Sequence, residues 1–541
     1  MKVRTHDMTL PPDLSLSHGT GPAANKRPVY QDYMPPCNNS CPAGENIQGW
    51  LALVHDGKYE EAWQLLVENN PMPAVHGRVC YHPCETGCNR EQVDGAVSIH
   101  QVERFLGDMA IEQGWMPEYT SRKTGKRVLV VGAGPSGLSA AYQLARLGHT
   151  VEIRDAGTVA GGMMHFGIPA YRLPRNVLRA EIARIEKMGV KITLEHKVED
   201  LQREKEEGDF DAVFVAVGAH ISKKVNIPAR EAGRILDAVS FLHDVSEGQK
   251  PLLGRRVAVY GGGNTAMDAA RTAKRLGAEE ALIIYRRDME HMPAHKFEVE
   301  DALEEGVKIN WLRTIHQIDE DQIRVEKMAL DEKGRPQPTG EFETLEADAL
   351  ILALGQNIDS QLMRHIPGID FSDDGTVQVD EHMMTGHPGI FAGGDMVPSE
   401  RTVTIATGHG KKAARNIHAF ISGQHLEPKT KSPVVKLDAL NIWYYADASQ
   451  SQQPIIPAAE RRSFDEVMGG LSEKEVQYET SRCYSCGNCF ECDGCYGACP
   501  EHAILKLGPG RFYQIDYSRC TGCSACTTQC PTAAIHMTEK A

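Results

Sequence analysis

Apolar runs, glycine-rich turns and amphipathic stretches alternate through the middle of the chain and predict two α/β units. Residues 126–155, KRVLVVGAGPSGLSAAYQLARLGHTVEIRD, read as a buried strand, a glycine-rich turn, a helix and a second strand. Residues 255–287, RRVAVYGGGNTAMDAARTAKRLGAEEALIIYRR, repeat this order. Alternation of this kind predicts parallel sheets covered by helices. A helical stretch precedes the two units, and a cysteine-rich segment with short apolar runs follows them.

The first turn carries the residues of a dinucleotide-binding site. Gly132, Gly134 and Gly137 form the pattern GxGxxG between the strand and the helix. Glycines at these places permit a tight turn and a close approach of the backbone to a pyrophosphate, and the helix N-terminus supplies N–H donors. Asp155 ends the second strand, where its carboxylate can accept a hydrogen bond from a ribose hydroxyl. This arrangement predicts a bound dinucleotide.

The second turn differs from the first at the end of its last strand. Its pattern is GxGxxA, formed by Gly261, Gly263 and Ala266. Arg286 and Arg287 stand where the first unit has its acidic residue. A guanidinium at this place suits a 2′-phosphate, so the pair favours NADP over NAD. A solvated basic strand end without a nucleotide role is the alternative.

Composition and charge narrow the class of protein. The 541 residues suffice for several domains, and a formal net charge of −15 disfavours nucleic acid or an anionic membrane as the main partner. No apolar run approaches the roughly 20 residues of a membrane-spanning helix. The first residues also lack the apolar region of a secretion signal. We therefore expect a cytoplasmic location, where clustered cysteines serve more often as metal ligands than as disulfides.

Two cysteine runs of the same spacing lie near the end of the chain. Each has the form C-x2-C-x2-C-x3-C-P of bacterial ferredoxins, in which the fourth cysteine ligates the other cluster. The crossed pairing predicts two [4Fe–4S] clusters, one held by Cys489, Cys492, Cys495 and Cys530 and the other by Cys499, Cys520, Cys523 and Cys526. The apolar segments AILKL and FYQID between the runs predict short strands.

Cys483 and Cys486 precede these runs and are surplus to them. The stretch CYSCGNC also fits the start of a ferredoxin run, with Cys483, Cys486 and Cys489 as ligands. The uninterrupted spacing from Cys489 onward favours the first assignment, and the role of the two extra cysteines stays open.

No cysteine occurs from Asn89 to Arg482. Flavoproteins of this architecture that reduce a disulfide need two cysteines beside the flavin, so the gap argues strongly against a role as a thioredoxin reductase or glutathione reductase. Electrons from a flavin must leave through the cysteine-rich ends of the chain.

Further segments resemble the FAD/NAD(P) oxidoreductases with two dinucleotide-binding domains. GIFAGGDM resembles the motif whose Asp binds the ribityl-phosphate side of FAD, and TVTIATGHGKKAARNI resembles the helix that closes over the isoalloxazine. AGGMMHFGIPAYRLPRNVL and YRRDMEHMPAHKFEVEDALEEGV resemble the small (beta) subunit of glutamate synthase and its relatives, including the N-terminal half of dihydropyrimidine dehydrogenase. The resemblance implies cofactor contacts at Gly162, Gly394, Asp395 and Thr404 for FAD and at Asn264 for NADP.

Five cysteines near the N-terminus resemble the cluster-binding domain that precedes the flavin in glutamate synthase small subunits; they are Cys37, Cys41, Cys80, Cys84 and Cys88. That family has a further CxxC, where this chain has Val29 and Asp32. Five cysteines cannot ligate two four-cysteine clusters, so we expect one [4Fe–4S] cluster here. By this resemblance its ligands are Cys41, Cys80 and Cys84, with Cys37, Cys88 or Glu103 as the fourth.

The predicted fold class is α/β, with an NADP-binding domain inserted into an FAD-binding domain, both Rossmann-like. A helical iron–sulfur domain precedes them and a bacterial-ferredoxin-like α+β domain follows. The predicted boundaries are an N-terminal tail (1–30), the helical domain (31–120), the FAD domain (121–240 and 345–420), the NADP domain (241–344), a linker (421–478) and the ferredoxin domain (479–541). The aromatic stretch LNIWYYADASQ in the linker predicts docking on a neighbouring surface.

These features predict an NADP-dependent iron–sulfur flavoprotein that passes electrons to or from a ferredoxin or a redox partner subunit. Hydride transfer moves two electrons and a cluster accepts one, so the flavin converts between them. By resemblance, the chain suits the NAD(P)-reactive subunit of a hetero-oligomer such as a 2-oxoacid:ferredoxin-type oxidoreductase or an aromatic-reducing system. The alternatives are a glutamate synthase small subunit and a non-enzymatic electron-wiring subunit with vestigial nucleotide sites.

Overall fold

Apolar residues at helical spacing build the N-terminal domain around two cysteine-bearing segments, residues 37–41 and 80–88, which include the short helices α1 and α5. The structure is a computed structural model that describes residues 25–119, 121–222, 234–319, 321–425, 431–443 and 445–539. The first elements are β1 (Lys26–Tyr30), α1 (Pro36–Ser40), α2 (Ile47–His55), α3 (Tyr59–Val67), α4 (Pro73–Val79), α5 (Pro83–Thr86) and α6 (Ile99–Gln113). Trp50 and Trp63 are fully buried among these helices. The domain is helical, as the sequence predicts.

The first α/β unit begins with a strand whose last four residues are buried. Its elements are β2 (Arg127–Val131), α7 (Pro135–Arg146), β3 (Thr150–Arg154), α8 (Met163–Phe166), α9 (Arg175–Lys187), β4 (Lys191–Thr193), α10 (Leu201–Glu207), β5 (Ala212–Val215) and β6 (Ile221–Ser222). Strands buried on both faces need helices on both sides, which explains the continuous apolar runs of β2 and β5.

The second unit has its own core and sheet. Its elements are β7 (Arg234–Asp237), α11 (Ala238–Ser246), β8 (Arg256–Tyr260), α12 (Asn264–Arg275), β9 (Glu280–Tyr285), α13 (Lys296–Glu304), β10 (Lys308–Trp311), β11 (Arg313–Ile318), β12 (Gln322–Leu330), β13 (Pro336–Glu346) and β14 (Ala349–Leu352). The parallel sheet has the order β10-β9-β8-β14-β7, and β11, β12 and β13 form a separate antiparallel sheet.

This sheet extends beyond the predicted limits of the NADP domain, 241–344. Both β7 and β14 pair in parallel within it, although the sequence assigned them to the two parts of the FAD domain. The apolar run of β14 lies between β7 and β8, so its residues are core to the second unit. The inserted domain is therefore longer on both sides than predicted.

The chain then returns to the first sheet through β15 (Gln356–Asn357), β16 (Ile390–Ala392) and α14 (Val403–Ser422). The completed parallel sheet has the order β16-β5-β2-β3-β4. Helix α14 packs along α7, where a Cβ on Gly410 would collide with the backbone of Ser136. The glycine permits this close approach, which brings α14 against the first glycine-rich turn.

The last domain contains α15 (Glu473–Ser481), α16 (Gly494–Ala498), β17 (Ile504–Lys506), β18 (Tyr513–Ile515), α17 (Ala525–Gln529) and β19 (Ile535–Glu539). The predicted short strands are confirmed as the antiparallel pair β17–β18. The prediction of a tail over 1–30 is wrong for its described part, because β1 pairs antiparallel with β19 over its whole length. Residues 1–24 of that prediction lie outside the described residues.

The predicted linker docks on its neighbours. Arg461 donates to Glu304 at 3.0 Å, and Arg78 donates to Glu466 at 2.7 Å. Asn441 donates to the carbonyl of Cys530 at 2.7 Å. The segment therefore connects the NADP domain, the N-terminal domain and the ferredoxin domain. None of the helices in the described part of the chain combines the length and the apolar character needed to cross a membrane.

Candidate functional site

The first glycine-rich turn has the shape that a pyrophosphate requires. Gly132 has a φ of +108°, and a Cβ there would collide with the carbonyl of Ala216. A Cβ on Gly137 would collide with the carbonyl of Gly132, so α7 can pack closely only through a glycine. A Cβ on Gly134 would meet no protein atom within 4 Å. The backbone is thus open at the position that approaches a phosphate, and the turn fits FAD.

Asp155 braces this turn. Its carboxylate accepts from the backbone N–H of Ala133 at 2.6 Å and of Gly157 at 2.7 Å. A carboxylate has about four lone-pair sites, so two are left for ribose hydroxyls. The carboxylate therefore lies beside the turn, with acceptor capacity left for a dinucleotide.

Gly162, Gly394 and Asp395 lie around the same turn. Gly162 has a φ of +53°, and a Cβ there would lie 2.9 Å from the Cα of Gly134. A Cβ on Gly394 would lie 3.0 Å from the Cβ of Ser136, in the first turn of α7. Burial raises the pKa of Asp395 to about 6, against the lowering effect of Arg401. The structure thus brings together most of the residues predicted to contact FAD.

The second turn repeats the geometry of the first. Gly261 has a φ of +152°, and a Cβ there would collide with the carbonyl of Ala353. A Cβ on Gly263 would meet no protein atom within 4 Å, and Ala266 is fully buried in the helix that follows. The turn therefore fits a second dinucleotide, and both turns leave the same backbone position open.

Arg286 and Arg287 lie directly after β9, at the same edge of the sheet. Arg286 is exposed, and the Nε of Arg287 donates to the hydroxyl of Tyr285 at 3.0 Å. Within the described residues, neither guanidinium forms an ion pair with a carboxylate. Both charges are therefore available to an anionic ligand.

Asn264, which the resemblance assigns to NADP, contacts protein groups. Its side chain donates to the hydroxyl of Tyr81 at 2.8 Å and accepts from the backbone N–H of His295 at 2.9 Å. The rings of Tyr81 and His295 stack with centroids 3.6 Å apart. Since Tyr81 follows Cys80, Asn264 connects the NADP turn to the N-terminal thiols.

Three of the N-terminal cysteines line one cavity with two acidic side chains. The residues that line the cavity are Cys41, Cys80, Cys84, Glu45, Glu103, Thr404, His76, Ile47, Ile99, Pro42 and Pro83. Burial, followed by the nearby Glu103 carboxylate, raises the pKa of Cys80 to about 12. A set of three buried or half-buried thiols and a carboxylate fits a cubane that takes one ligand at each iron.

Glu103 and Glu45 are the acidic members of this cavity. The amide of Asn70 donates to Glu103 at 2.6 Å and to Glu45 at 3.1 Å. Burial raises the pKa of Glu45 to about 7 and that of Glu103 well above its ordinary value. Both carboxylates are buried beside the thiols, whereas neither Cys37 nor Cys88 is among the residues that line this cavity.

Thr404 lies between the flavin domain and this cavity. It is in the first turn of α14, and its hydroxyl donates to the Sγ of Cys80 at 3.0 Å. One helical turn later, the Thr407 hydroxyl lies 3.0 Å from the Nε2 of His76. The helix expected to close over the isoalloxazine therefore contacts a thiol of the N-terminal domain.

The C-terminal cysteines form two sets. Cys499, Cys520, Cys523 and Cys526 line one cavity. In the other set, burial and the neighbouring thiols of Cys495, Cys530 and Cys492 raise the pKa of Cys489 to about 11. The hydroxyl of Tyr30, on β1, lies 3.3 Å from the Sγ of Cys495. The thiols group as the crossed pairing predicts, and Cys492 and Cys523 are exposed.

The remaining cysteines lie together although they are far apart in sequence. Burial raises the pKa of Cys37, and the thiols of Cys483, Cys88 and Cys486 raise it further. Sequence reasoning placed Cys37 and Cys88 with the other N-terminal cysteines and left Cys483 and Cys486 unassigned. The signal was present: a surplus CxxC stands near one end of the chain, and a CxxC is missing near the other.

Two dinucleotide turns define an iron–sulfur flavoprotein oxidoreductase: α14 connects the first turn to the N-terminal thiols, and Asn264 connects the second turn to Tyr81 beside them. Residues 110–410 match the family model described as pyridine nucleotide-disulphide oxidoreductase, and the chain belongs to this family. Residues 25–115 match dihydropyrimidine dehydrogenase domain II, 4Fe-4S cluster, and residues 488–534 match the 4Fe-4S dicluster domain. The chain therefore binds FAD and NAD(P) and carries [4Fe–4S] clusters near both ends. Cys483 and Cys486 lie outside all three matches.

Three curated relatives narrow the class. The NADP(+)-dependent formate dehydrogenase subunit beta of Moorella thermoacetica is 36% identical over 527 residues, covering 86% of this chain and 73% of the relative. The NADPH-Fe(3+) oxidoreductase subunit beta of Geobacter sulfurreducens is 32% identical, covering 87% and 78%. The NADPH glutamate synthase small chain of Escherichia coli is 34% identical, covering 71% and 88%. The chain is an NADPH-dependent iron–sulfur oxidoreductase subunit that moves electrons.

Proposed function

We propose that this chain is the NADPH-reactive subunit of a hetero-oligomer, in which electrons pass between the flavin and a partner through the clusters. The observation that carries the proposal is the hydrogen bond from Thr404 to the Sγ of Cys80. It joins the helix beside the FAD turn to the first set of thiols. FAD, when bound, accepts the hydride of NADPH and releases its two electrons singly to iron–sulfur clusters.

The packing of α14 supports a fixed path from flavin to thiols. The hydroxyl of Ser139, in α7, donates to the carbonyl of Thr407 at 2.8 Å, and the amine of Lys411 donates to the carbonyl of Ala43 at 2.7 Å. These bonds hold α14 to the FAD turn on one side and to the N-terminal domain on the other. Burial lowers the pKa of His76 to about 3, so this side chain stays neutral beside Thr407.

The exposed end of the path lies in the ferredoxin domain. Cys492 and Cys523 are its exposed thiols, whereas the thiols near α14 are buried or half-buried. A redox partner subunit or a ferredoxin would meet this domain. One relative is named for formate dehydrogenase and another for Fe(3+) reduction. The expectations of a 2-oxoacid:ferredoxin-type partner and of a cytoplasmic location stay predictions.

A role as a glutamate synthase small subunit is the second candidate, favoured by the 34% identity to such a chain. That match covers 71% of this chain. The ferredoxin unit over residues 488–534, through which we propose that electrons leave, is not part of the glutamate synthase pattern, so this candidate ranks second. The third alternative, a wiring subunit with vestigial nucleotide sites, conflicts with the open backbone at Gly134 and Gly263.

The substitution Cys523→Ala tests the exit. We expect iron content to fall by about four atoms per chain, flavin bleaching by NADPH to persist in stopped-flow, and turnover with the protein partner to be lost. Thr528→Ala removes an exposed hydroxyl from the same domain and serves as the control. Normal partner turnover in Cys523→Ala would show that electrons leave elsewhere. Loss of flavin bleaching would show that the ferredoxin domain supports the fold, which would overturn the proposed path.

A further inference from the structure

We propose that Cys37, Cys88, Cys483 and Cys486 form an additional [4Fe–4S] site, assembled from segments near opposite ends of the chain. The four cysteines belong to no other thiol set. With this site, every one of the fifteen cysteines belongs to a ligand set. The argument rests on the packing of three short segments and on the spacing of the sulfur atoms.

The N-terminal half of the site comes from the contact between α1 and α5. Cys37 lies in α1, and Cys88 follows the glycine that ends α5. A Cβ on that residue, Gly87, would collide with the hydroxyl of Ser40, so the two segments touch. This contact turns two cysteines that are distant in sequence toward one place.

The C-terminal half of the site is the turn after α15. The amide of Asn89, next to Cys88, lies 3.4 Å from the Sγ of Cys486. Cys37 is buried in the hydrophobic core of the N-terminal domain, and Cys88 and Cys483 pack against the same core; Cys486 is also buried. Cys483 and Cys486 therefore face the same interior as Cys37 and Cys88.

Buried polar contacts fix this turn on the N-terminal domain. Arg482 is buried, and its guanidinium donates to the carbonyl of Ala96 at 2.6 Å and to Glu479 at 2.8 Å. Glu479 is fully buried and accepts from the backbone N–H of Ser98 at 2.9 Å. On the other side of the turn, the N–H of Tyr33 donates to the carbonyl of Gly487 at 3.1 Å. The two cysteines are thus held from both sides.

The spacing of the sulfurs favours a cluster over a single ion. Tetrahedral zinc holds its thiolates about 3.8 Å apart, from a Zn–S bond of about 2.3 Å. In the part of the chain that the structure describes, the groups of three or more possible ligand atoms that all lie within 4.8 Å of one another contain no cysteine. All four thiols are free, so no disulfide occupies the site. A cubane presents a separate iron to each thiolate and therefore does not require three sulfurs to lie as close together as a single ion does.

The site lies between the other thiol sets. Cys37 and Cys41 belong to α1 and its end, and Cys84 and Cys88 flank the end of α5. Cys486 is three residues from Cys489. The site therefore shares an element with the thiols near Thr404 and with the ferredoxin domain. That it relays single electrons, each taken up from one neighbour and passed to the next, rests on the proposed function; its iron content does not.

Iron content tests the site. We expect about sixteen iron atoms per FAD in the anaerobically purified chain and about twelve in the variant Cys483→Ser/Cys486→Ser. Cys37→Ser, at the other end of the site, should also give about twelve. The combination Cys37→Ser/Cys483→Ser should give about twelve again, because both changes remove the same cluster. Ser481→Ala, an exposed position just before the turn, should keep the full content.

Several results would overturn the site: about twelve iron atoms in the unaltered chain, an additive loss in the combined variant, or one zinc ion that disappears with Cys483 and Cys486. FAD content reports whether each variant folds, and Cys37→Ser serves if the double variant does not. The relay is tested separately by reducing each protein with NADPH and recording cluster signals by electron paramagnetic resonance. Reduction of the ferredoxin clusters should fail in the double variant; if it persists, the relay is overturned. Failure in the unaltered chain would instead contradict the proposed function.

Discussion

The ferredoxin domain and the N-terminal iron–sulfur domain bring their thiols together in different ways. In the ferredoxin domain, one segment from Cys489 to Cys530 supplies all the thiols of both sets. In the N-terminal domain, thiols come from the ends of short helices, and two acidic residues join them in one cavity. The proposed additional site brings in residues 397 positions apart, as the contact between Asn89 and Cys486 shows. Local sites depend on spacing, whereas assembled sites depend on buried contacts between distant segments.

The largest effect should come from removing a buried contact of the assembled site. Arg482→Ala leaves Glu479 as an unpaired charge in the interior, and breaking such a pair costs about 3–5 kcal/mol. We expect a lower denaturation midpoint and faster hydrogen exchange across residues 482–488. Arg519→Ala, in the ferredoxin domain, breaks an exposed pair with Asp516 at 3.3 Å and should cost at most about 1 kcal/mol. Equal effects of the two substitutions would break the comparison.

The NADPH site is formed by one short segment, so substitutions within that segment should be enough to weaken nucleotide binding. Replacing both Arg286 and Arg287 with Ala should weaken NADPH binding by roughly 2–4 kcal/mol, because charge-assisted bonds to the 2′-phosphate are lost. NADH binding should barely change when both are measured by titration. Arg255→Ala removes an exposed arginine from the same domain, paired with Glu279, and serves as the control. Equal losses for both nucleotides, or an unaltered chain that prefers NADH, would contradict the assignment.

The smallest expected effect is a shift in the reduction potential of one cluster in each of the two domains. Thr404→Val removes the hydrogen bond to Cys80, and Tyr30→Phe removes the hydroxyl beside Cys495. Hydrogen bonds to ligand sulfurs raise a cluster's potential. Each loss of about 1 kcal/mol should lower one potential by about 40 mV, as a one-electron couple requires. Redox titration should show that each variant shifts a different cluster; a shift of the same cluster in both would contradict the separation of the sites.

The sequence predicts those features of the fold that depend on a single continuous segment of the chain. Both glycine-rich turns, the helical N-terminal domain and the strands β17 and β18 follow from local pattern. The extent of the NADP domain does not, because β7 and β14 join its sheet through long-range pairing. The strand β1 was missed for the same reason, since its partner is β19. Asn264 resembles a nucleotide contact, but its partner Tyr81 lies in another domain.

The candidate site was predicted in the same way. Spacing alone groups the C-terminal thiols, since every ligand lies within one short segment. Spacing does not group Cys37 with Cys483, because only the packing of α1, α5 and the turn after α15 brings them together. The acidic residues beside Cys41, Cys80 and Cys84 also depend on packing. The sequence offered Glu103, and only the fold places Glu45 in the same cavity.

Asn89 and Cys486 are 397 positions apart in sequence, so the two halves of the proposed additional site are synthesised at different times. A ribosome adds about 5–20 residues per second, so roughly 20–80 s separate the two halves of the proposed additional site. During that interval the N-terminal domain carries Cys37 and Cys88 as an incomplete pair of thiols. The cavity near Thr404 is complete only after α14 has also emerged, so iron delivered to the nascent chain can bind in the finished cavity only from that point. At the proposed additional site, we therefore expect cluster insertion only after the FAD and NADP domains have been synthesised.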